Sequence, residues 1–401
     1  MPTQAWKSST LKGLTLKIGS GATPTGGKGA YKEVGVFLIR SMNVHDYSFK
    51  WNDLACIDEK QSKKLDNVNV LKNDVLLNIT GASVARCCIV PEEALPARVN
   101  QHVAIIRLNQ DKILSKFAYY SLVSSKNKQR LLSIAQGGAT REALTKESLE
   151  GFEISYPKDI KIQNKIAGVL SAYDDLIENN NKRIQILEEV AQKLYKHWFV
   201  DFKFPGHERA KFVGSELGLI PEGWSCESVG GILKRKPAGL KYTQKNVGSS
   251  GSTPVIDQST NDVLGYHNNK ADQAASTDNP IIIFGDHTCK MQILIKPFSV
   301  GANVIPFVPL KSSMPTSFLY YLISSLVSTK EYKRHWSELV SKEIILPSEN
   351  LQQEYNLKII DLLSQMDKLK ECNFNLERTR DMLLPKLISG ELDVSNLEIK
   401  M

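Results

Sequence analysis

The sequence has few cysteines, no long apolar run and no metal-binding pattern. Its 401 residues contain six cysteines and no Cys-x-x-Cys pair, a spacing typical of reduced structural thiols rather than of a zinc site or a disulfide framework. No run approaches the roughly 18 apolar positions of a membrane-spanning helix, and residues 1–7 lack the apolar core of a signal peptide. We therefore expect a cytoplasmic protein.

The motifs of nucleotide-binding and catalytic sites are also missing. Segment 21–28 (Gly-Ala-Thr-Pro-Thr-Gly-Gly-Lys) resembles a phosphate-binding loop, but Lys28 stands one position late and Gly29 replaces the residue that would bind magnesium. Neither a strand–Gly-x-Gly–helix pattern nor the Asn-Pro-Pro-Tyr turn of adenine methyltransferases occurs. The seven histidines lack metal-ligand spacing, and the pair Asp286-His287 is more typical of a loop contact than of a catalytic dyad. The sequence thus predicts no catalytic residue, no metal site and no cofactor bound by this chain.

What the sequence does contain is an ordinary globular composition with an excess of positive charge. Hydrophobic residues make up 42% and charged residues 23%, and 401 residues suffice for two or three domains. A net charge of +8 permits a nucleic-acid partner without requiring one.

Landmarks in the first half of the chain return in the second half. Trp6 and Trp224 each precede an aliphatic residue and a glycine at the same spacing, and segment 117–120 (Phe-Ala-Tyr-Tyr) returns as 318–321 (Phe-Leu-Tyr-Tyr). Segments 152–157 and 342–347 both end in proline, and a long helical pattern follows each of them. The sequence between these landmarks is almost unrelated, which indicates one structure repeated for two different targets.

Each half ends in a long amphipathic pattern that predicts a helix. Its residues recur at alternating steps of four and three positions, the hydrophobic repeat of a coiled coil, and we call each such series a seam. The first seam consists of Ile166, Leu170, Tyr173, Ile177, Asn180, Ile184, Leu187, Ala191, Leu194 and Trp198. The second seam consists of Tyr355, Ile359, Leu362, Met366, Leu369, Asn373, Leu376, Arg380, Leu383 and Leu387.

The seams favour an intramolecular antiparallel pair over an intermolecular coiled coil or one stripe of a globular core. The helices belong to similar halves, and their opposite faces are polar. Asn180 and Asn373 would fix the register of the pair at some loss of stability. Pro385 lacks an amide hydrogen and is expected to kink or end the second helix near Leu384. The segments before the helices carry short β-like runs broken by glycine, asparagine and proline, which predicts two mixed sheet-and-helix regions.

Several segments resemble the DNA specificity subunits of type I restriction–modification systems, and the resemblance covers nearly the whole chain. Segment 184–202 (Ile-Gln-Ile-Leu-Glu-Glu-Val-Ala-Gln-Lys-Leu-Tyr-Lys-His-Trp-Phe-Val-Asp-Phe) is similar to the central conserved region of that family. Segment 219–224 (Leu-Ile-Pro-Glu-Gly-Trp) resembles the entry to its second recognition domain, and 383–392 (Leu-Leu-Pro-Lys-Leu-Ile-Ser-Gly-Glu-Leu) its closing segment. The loops 285–288 (Gly-Asp-His-Thr) and 100–103 (Asn-Gln-His-Val) resemble loops of its recognition domains.

The resemblance implies an α+β fold with a pseudo-twofold repeat, in which two mixed α/β target recognition domains are separated by two long antiparallel coiled-coil helices. The expected boundaries are 1–158 for the first recognition domain, 159–205 for the central helix, 206–223 for a connector, 224–347 for the second recognition domain, 348–392 for the C-terminal helix and 393–401 for a tail.

The resemblance also implies a non-catalytic subunit of a bacterial or archaeal complex. Each recognition domain would recognise one half of a bipartite, asymmetric sequence in double-stranded DNA. The helices, through their seams, would pair, set the spacing between the half-sites and dock two methyltransferase subunits, with two restriction subunits joining the complex. S-adenosylmethionine, ATP and Mg are then expected on those partner subunits.

Lysine and arginine side chains in loops are the candidates for DNA contact, because affinity comes mainly from phosphate contacts and specificity from base edges. The candidates are Lys28, Arg40, Arg86, Arg98 and Arg141 in the first domain, and Lys236, Lys241, Lys245, His287, Lys290 and Arg334 in the second. For any one of them, a solvated surface charge remains the alternative interpretation.

Two alternative functions remain open at this point. The chain could serve an orphan methylation-only system or a fused methylase–nuclease. It could instead be a coiled-coil interaction scaffold with globular binding ends, although that hypothesis does not account for the family-like segments at both helix ends. A stand-alone nuclease or methyltransferase is disfavoured because the sequence predicts no catalytic site.

Overall fold

The computed structural model describes residues 6–137, 142–259, 262–329, 331 and 333–397, without the side chain of Lys28. The chain divides into two units: unit 1 comprises Met1–Asn179 and Asn373–Met401, and unit 2 comprises Asn180–Cys372. Unit 1 is thus built from two separate stretches of the chain, and unit 2 from one.

Unit 1 consists mainly of short strands and helices. Its strands are β1 (Trp6–Thr10), β2 (Thr15–Ser20), β3 (Tyr31–Lys32), β4 (Val36–Ile39), β5 (Val44–His45), β6 (Ser48–Phe49), β7 (Ala55–Ile57), β8 (Asn69–Val70), β9 (Val75–Asn78), β10 (Cys87–Ile89), β11 (Ala97–Val99), β12 (Val103–Leu108) and β13 (Glu153–Pro157). Its helices are α1 (Leu11–Leu14), α2 (Glu59–Lys64), α3 (Ser115–Val123), α4 (Ser125–Gln136), α5 (Lys146–Glu150), the first part of α6 (Ile160–Tyr195) and the last part of the C-terminal helix.

Unit 2 has a similar series of elements. Its strands are β14 (Phe212–Ser215), β15 (Gly218–Pro221), β16 (Ser225–Ser228), β17 (Leu233–Arg235), β18 (Thr253–Ile256), β19 (Val263–His267), β20 (Ile281–Gly285), β21 (Met291–Leu294), β22 (Ser299–Val300), β23 (Val304–Pro309) and β24 (Glu343–Leu346). Its helices are the last part of α6, α7 (Val229–Ile232), α8 (Thr316–Ile323), α9 (Trp336–Val340) and the first part of α10 (Glu349–Ser389). A π-helical turn, Lys196–Val200, follows α6.

The sheets of the two units have corresponding topologies. Unit 1 has a four-stranded sheet of order β10-β9-β12-β2, and unit 2 has one of order β21-β20-β23-β17, with all strands antiparallel. A parallel pair, β4 with β11 or β18 with β22, lies in a further sheet of each unit. Each unit also has a two-stranded sheet, β1 with β13 in unit 1 and β16 with β24 in unit 2. In each of these sheets the second strand directly precedes a long helix. The repeat seen in the sequence is therefore a repeat of topology.

The central strands β9 and β20 carry apolar side chains on both faces, because both faces are buried. Along β9, Val75 and Leu77 pack in the cluster that contains α3 and the long helices, whereas Leu76 packs in the cluster beneath the five-stranded sheet β3-β7-β4-β11-β8. In β20, Ile282 and Ile283 divide in the same way between two clusters. Successive side chains of a strand point to opposite faces, so these strands separate two hydrophobic layers in each unit.

The two long helices are antiparallel and contribute residues to both units. Helix α6 has 36 residues and α10 has 41. In unit 1, Asp174 contacts Arg380, and in unit 2 the Tyr355 hydroxyl donates to the Ala191 carbonyl at 3.1 Å. Positions further along α6 therefore meet earlier positions of α10. The predicted α+β class with long antiparallel helices is confirmed.

The seam residues all lie in buried or half-buried positions. In unit 1, Ile166 and Leu170 share a hydrophobic cluster with Leu387, and in unit 2 Ile184 and Leu187 pack against the cluster that contains Ile359. Seam side chains from the two helices thus meet in both units. Asn180 and Asn373, each 8% exposed, are buried polar members of the seams.

Pro385, expected to kink or end the second helix near Leu384, does not end the helix, because α10 continues through Pro385 to Ser389. Proline removes one backbone donor only a turn from the helix end, and the buried side chains of Leu384, Leu387 and Ile388 hold that last turn against the core of unit 1. Gly390 follows the helix at φ +77°, and a Cβ there would lie 2.6 Å from the Trp6 indole nitrogen. Glycine is required at this position for both its conformation and its size.

Truncation of Leu387 tests whether the end of α10 belongs to the core of unit 1. The fully buried side chain leaves a cavity in Leu387→Ala, so we expect the free energy of unfolding to fall by about 2–5 kcal/mol. Met382→Ala on the same helix removes a side chain that is 55% exposed and should change it by less than about 0.5 kcal/mol. Urea unfolding measures both variants, and equal losses would contradict the packing.

Candidate nucleic-acid interface

Two basic residues predicted to contact DNA occupy the same topological position in the two units. In unit 1 the Asn78 amide donates to the Arg86 carbonyl at 2.8 Å and closes the loop between β9 and β10. In unit 2 the Gly285 amide donates to the Lys290 carbonyl at 2.8 Å and closes the loop between β20 and β21. We call residues 79–86 and 286–290 the central loops. Each central loop ends in a positively charged side chain.

A second backbone contact fixes each central loop against the loop before the next strand of the sheet. The Ile79 amide donates to the His102 carbonyl, and the Asp286 amide donates to the Asn303 carbonyl, both at 2.9 Å. Segments 100–103 and 285–288, which resemble loops of the family's recognition domains, thus lie in equivalent pairs of neighbouring loops. Each pair is at one end of the strands of a four-stranded sheet.

The central loop of unit 1 borders an open cleft of about 460 Å³. The cleft is lined by Ser41, Met42, Thr80, Gly81, Ala82, Ser83, Arg86 and His102. Thr80 Oγ1 lies 2.5 Å from His102 Nδ1, and the Gln101 side-chain nitrogen Nε2 lies 3.0 Å from His102 Nε2. The imidazole is therefore held on both sides. The cleft therefore presents hydroxyl groups, a guanidinium and a fixed imidazole.

The charge near this cleft is positive. Burial lowers the pKa of His45, and the nearby charges of Arg86 and Lys50 lower it further. Arg86, which lines the cleft, and Lys50 thus both lie close enough to His45 to disfavour its charged form.

The loop after β4 forms the other wall of the cleft. The Asn43 side-chain oxygen Oδ1 accepts from the Arg40 backbone amide at 3.0 Å, and the side-chain nitrogen Nδ2 donates to the Lys50 backbone carbonyl at 2.9 Å. Arg40 itself donates to the Asp53 carbonyl, and its guanidinium carbon lies 5.1 Å from the centroid of the Tyr31 ring. We call residues 40–53 the recognition loop; it carries the exposed side chains of Met42 and Trp51.

The central loop of unit 2 is organised by a buried carboxylate. Asp286, 7% exposed, accepts hydrogen bonds from the backbone amides of His335 at 3.1 Å and Trp336 at 2.9 Å, at the start of α9. The His287 amide donates to the Gln258 side chain at 3.0 Å. Asp286 thus serves as a structural cap, consistent with the loop-contact interpretation of the Asp286-His287 pair.

Basic side chains surround this second loop. Lys290 pairs with Asp262 at 2.8 Å and also donates to the Ser259 carbonyl, and the exposed Arg334 lies 3.8 Å from Asp286. The Lys333 carbonyl faces His287 Nδ1 at 3.1 Å. The Asp262 carboxylate is 63% exposed, so its ion pair with Lys290 is partly solvated and weak, and the Lys290 side chain is itself 22% exposed.

The prediction that Arg98 is a loop side chain is wrong. Arg98 lies in β11, is 9% exposed, and forms an ion pair with Asp66 at 2.6 Å and a hydrogen bond to the Asn69 side chain at 2.8 Å. Its guanidinium therefore ties β11 to the segment before β8 and is not available to DNA.

The remaining candidates occupy varied positions. Lys241 and Lys245 are exposed before β18, and the half-buried Lys236 lines a cavity of about 590 Å³ together with Lys311. Arg141 and the side chain of Lys28 lie outside the described residues. Sequence inspection missed Lys50 and Lys333, because only the fold brings these positions near the central loops. It also missed Thr80 of the first central loop, because the candidates are only basic side chains and one histidine.

Within the described ranges, no group of three or more histidine, cysteine, aspartate or glutamate side chains is placed to hold a metal ion. The helices of the same ranges include none that is long and apolar enough to cross a membrane.

Known proteins similar to this chain share one description. The profile of the family described as "Type I restriction modification DNA specificity domain" matches residues 4–189. The type I restriction enzyme MjaIX specificity subunit of Methanocaldococcus jannaschii is 30% identical over 326 residues, which cover 75% of this chain and 74% of that protein. The MjaVIII specificity subunit of the same organism is 23% identical over 367 residues, 83% of each chain. The crystal structure of a type I restriction–modification S subunit from M. genitalium has the same fold, with a TM-score of 0.57 at 16% identity over 96% of this chain and 97% of that one.

Replacement of Asp286 tests its role as the organiser of the second central loop. Asp286→Ala leaves the Trp336 amide without its acceptor, whereas the His335 amide keeps the backbone carbonyl of residue 286 at 2.8 Å. We therefore expect the free energy of unfolding of unit 2 to fall by about 1–3 kcal/mol. Asp286→Asn keeps a carbonyl oxygen at the same place and should lose clearly less. Thermal unfolding compares the two variants; if both lose the same stability, the two amide contacts do not carry the role of Asp286.

Proposed function

The chain belongs to the family of type I restriction–modification DNA specificity subunits, and from this premise we propose that unit 1 and unit 2 each recognise one half of a bipartite, asymmetric DNA sequence. The chain is a non-catalytic, sequence-recognising subunit. Assignment of one half-site to each unit rests on the correspondence of their sheets, described above.

The observation that carries the proposal is the equivalence of the central loops. Both follow the same strand of a corresponding sheet and end in Arg86 or Lys290, but their contents differ: Thr-Gly-Ala-Ser at 80–83 in one and His-Thr-Cys at 287–289 in the other. Equal placement of a cation suits contact with the phosphate backbone, which is the same in any sequence. Unequal hydroxyl, imidazole and apolar groups beside it suit different base edges. Two different half-sites would follow.

Recognition in unit 1 is proposed to involve the cleft beside the recognition loop. Ser41, Thr80 and Ser83 offer groups that both donate and accept hydrogen bonds, and Met42 offers apolar contact of the kind that a thymine methyl group takes. Arg86 would place this surface on the duplex. In unit 2 the corresponding groups are His287, Lys290 and Arg334.

The long helices are proposed to dock two methyltransferase subunits, with two restriction subunits joining the complex. Support comes from apolar side chains that point away from the seams: Ile186 and Val190 are 59% and 47% exposed on α6, and Leu357 is 69% exposed on α10. Exposed aliphatic side chains one helical turn apart are typical of a helix–helix interface. S-adenosylmethionine, ATP and Mg would be bound by those partners, and the complex would act on DNA in the cytoplasm.

Neutralising a central-loop cation should weaken DNA binding and its dependence on salt. For Arg86→Ala and for Lys290→Ala, each in the complex with methyltransferase subunits, we expect the slope of log K against log salt to fall in magnitude by about one, because one phosphate contact is lost. The duplex is designed from the motif that methylome sequencing of cells with and without the gene reports. Lys63→Ala is the control, since Lys63 is 71% exposed on α2 beside Glu59. An affinity and salt slope equal to those of the control would overturn the assignment of the central loops.

Lengthening both helices should lengthen the gap between the half-sites. Because both helices contribute to both units, four residues inserted in α6 near Asn180 and in α10 near Asn373 add about 6 Å of helix, and the preferred gap should grow by about two base pairs. A matched control inserts four residues at the exposed turn 216–217 between β14 and β15, which leaves both helices unchanged. Methylome sequencing reports the gap directly, and an unchanged gap after the helix insertion would refute the spacing role.

A further inference from the structure

A charged residue occupies a buried position of the second seam, and its contacts reach the recognition loop. Arg380 has a side chain that is 6% exposed, and its Nη1 atom lies 2.7 Å from Asp174 Oδ1. The Tyr120 hydroxyl donates to the other Asp174 oxygen at 2.6 Å. Arg380 also donates to Asp381 at 2.9 Å. The ion pair thus joins α10, α6 and α3 within unit 1.

Such a pair is not explained by helix pairing alone. Burying two charges costs more than an apolar pair of similar size unless further contacts compensate. Burial raises the pKa of Asp174, while the hydrogen bonds from Tyr120 and Arg380 oppose the rise. An apolar residue at position 380 would continue the seam without this cost. A guanidinium at this position therefore indicates a contact beyond the pairing of the two helices.

That further contact is with Tyr47. The Arg380 guanidinium carbon lies 3.5 Å from the centroid of the Tyr47 ring, within stacking distance. Tyr47 stands at φ +61° in the turn between β5 and β6, a conformation that is unfavourable for a tyrosine. The preceding residue, Asp46, accepts from the Cys87 amide at 3.0 Å and pairs with Lys128. The turn therefore directs two successive side chains onto the body of unit 1.

This turn lies in the middle of the recognition loop and anchors it to the body of unit 1. Asn43 joins Arg40 to Lys50 across the base of the loop, and the Asn78 side chain donates to the Ser41 carbonyl at 2.9 Å. Displacement of the turn would thus move Ser41 and Met42, two residues that line the cleft.

Among the residues that the structure describes, the anchored turn has no counterpart in the corresponding segment of unit 2. Between β4 and β7 the chain spans 40–54 and includes the β5–β6 hairpin, whereas between β18 and β19 of unit 2 it spans only 257–262. An effect transmitted through Tyr47 should therefore alter one half-site and spare the other.

We propose that Arg380, held by Asp174, is a positioning residue for DNA recognition: through Tyr47 it fixes the recognition loop of unit 1 in the conformation that discriminates one half-site. The inference rests on the proposed function of the recognition loop. It assigns to the C-terminal helix a role in sequence specificity, in addition to helix pairing.

The test measures half-site discrimination by the complex with methyltransferase subunits. Competitor duplexes carry the methylome-derived motif with either one half or the other half scrambled. Tyr47→Leu should reduce discrimination at one half-site by about tenfold, the size of a buried cation–aromatic contact, and leave the other half-site unchanged. Tyr47→Phe keeps the ring and should restore discrimination.

A reversed pair separates helix pairing from loop positioning. Asp174→Arg combined with Arg380→Asp keeps opposite charges between the helices but places a carboxylate against the electron-rich face of Tyr47. We expect this variant to retain discrimination at the second half-site and to lose it at the first, as Tyr47→Leu does. Arg380→Lys keeps the charge without the planar stack and should speed amide hydrogen exchange in residues 40–53.

Three results would overturn the inference: full discrimination in Tyr47→Leu, equal losses at both half-sites, or unchanged exchange of residues 40–53 in Arg380→Lys. Arg86→Ala in the same competition assay keeps the two proposals distinguishable. If Arg86→Ala changes neither half-site, the proposed function of the cleft fails. If Arg86→Ala acts on one half-site and the Tyr47 and Arg380 variants do not, only the positioning role fails.

Discussion

Two helices of 36 and 41 residues each carry an apolar stripe that would stay in contact with water unless the other helix covered it. Mutual burial of these stripes is the constraint on which the other features depend. It brings Leu387, near the end of the sequence, into the same cluster as Ile166, and it places Tyr355 against the Ala191 carbonyl. The strands of each unit pack on the helical surface that this pairing forms.

On this common support the two units vary where variation costs little. The strands that separate the hydrophobic layers must stay apolar on both faces, so β9 and β20 have similar composition and equal placement. The loops that follow them face no such demand. Unit 1 adds a hairpin with Tyr47, and unit 2 instead holds its loop with the buried carboxylate of Asp286. Specificity can therefore change without loss of the core.

The sequence predicted best what depends on periodicity. The long antiparallel helices and the α+β class are confirmed, and the family that the segments resembled is the family to which the chain belongs. Prediction failed where distant partners decide the outcome. Arg98 looked like a loop cation, but Asp66 and Asn69 hold it in a strand, and Pro385 lies within a helix because the core retains the last turn. The position of Arg380 in the second seam was predicted, but nothing in the neighbouring sequence indicated its contact with Tyr47. The DNA contacts of the central loops stay predictions.

The division of the chain also has a consequence for its biosynthesis. Unit 2 is a single stretch, 180–372, whereas unit 1 needs residues 373–389 of α10 to cover Ile166 and Leu170. A ribosome releases the chain in order, so unit 2 has all of its residues before unit 1 has its last helix turns. The part synthesised first is therefore the part that finishes folding last. During that interval its uncovered apolar stripe is a surface that a chaperone could occupy.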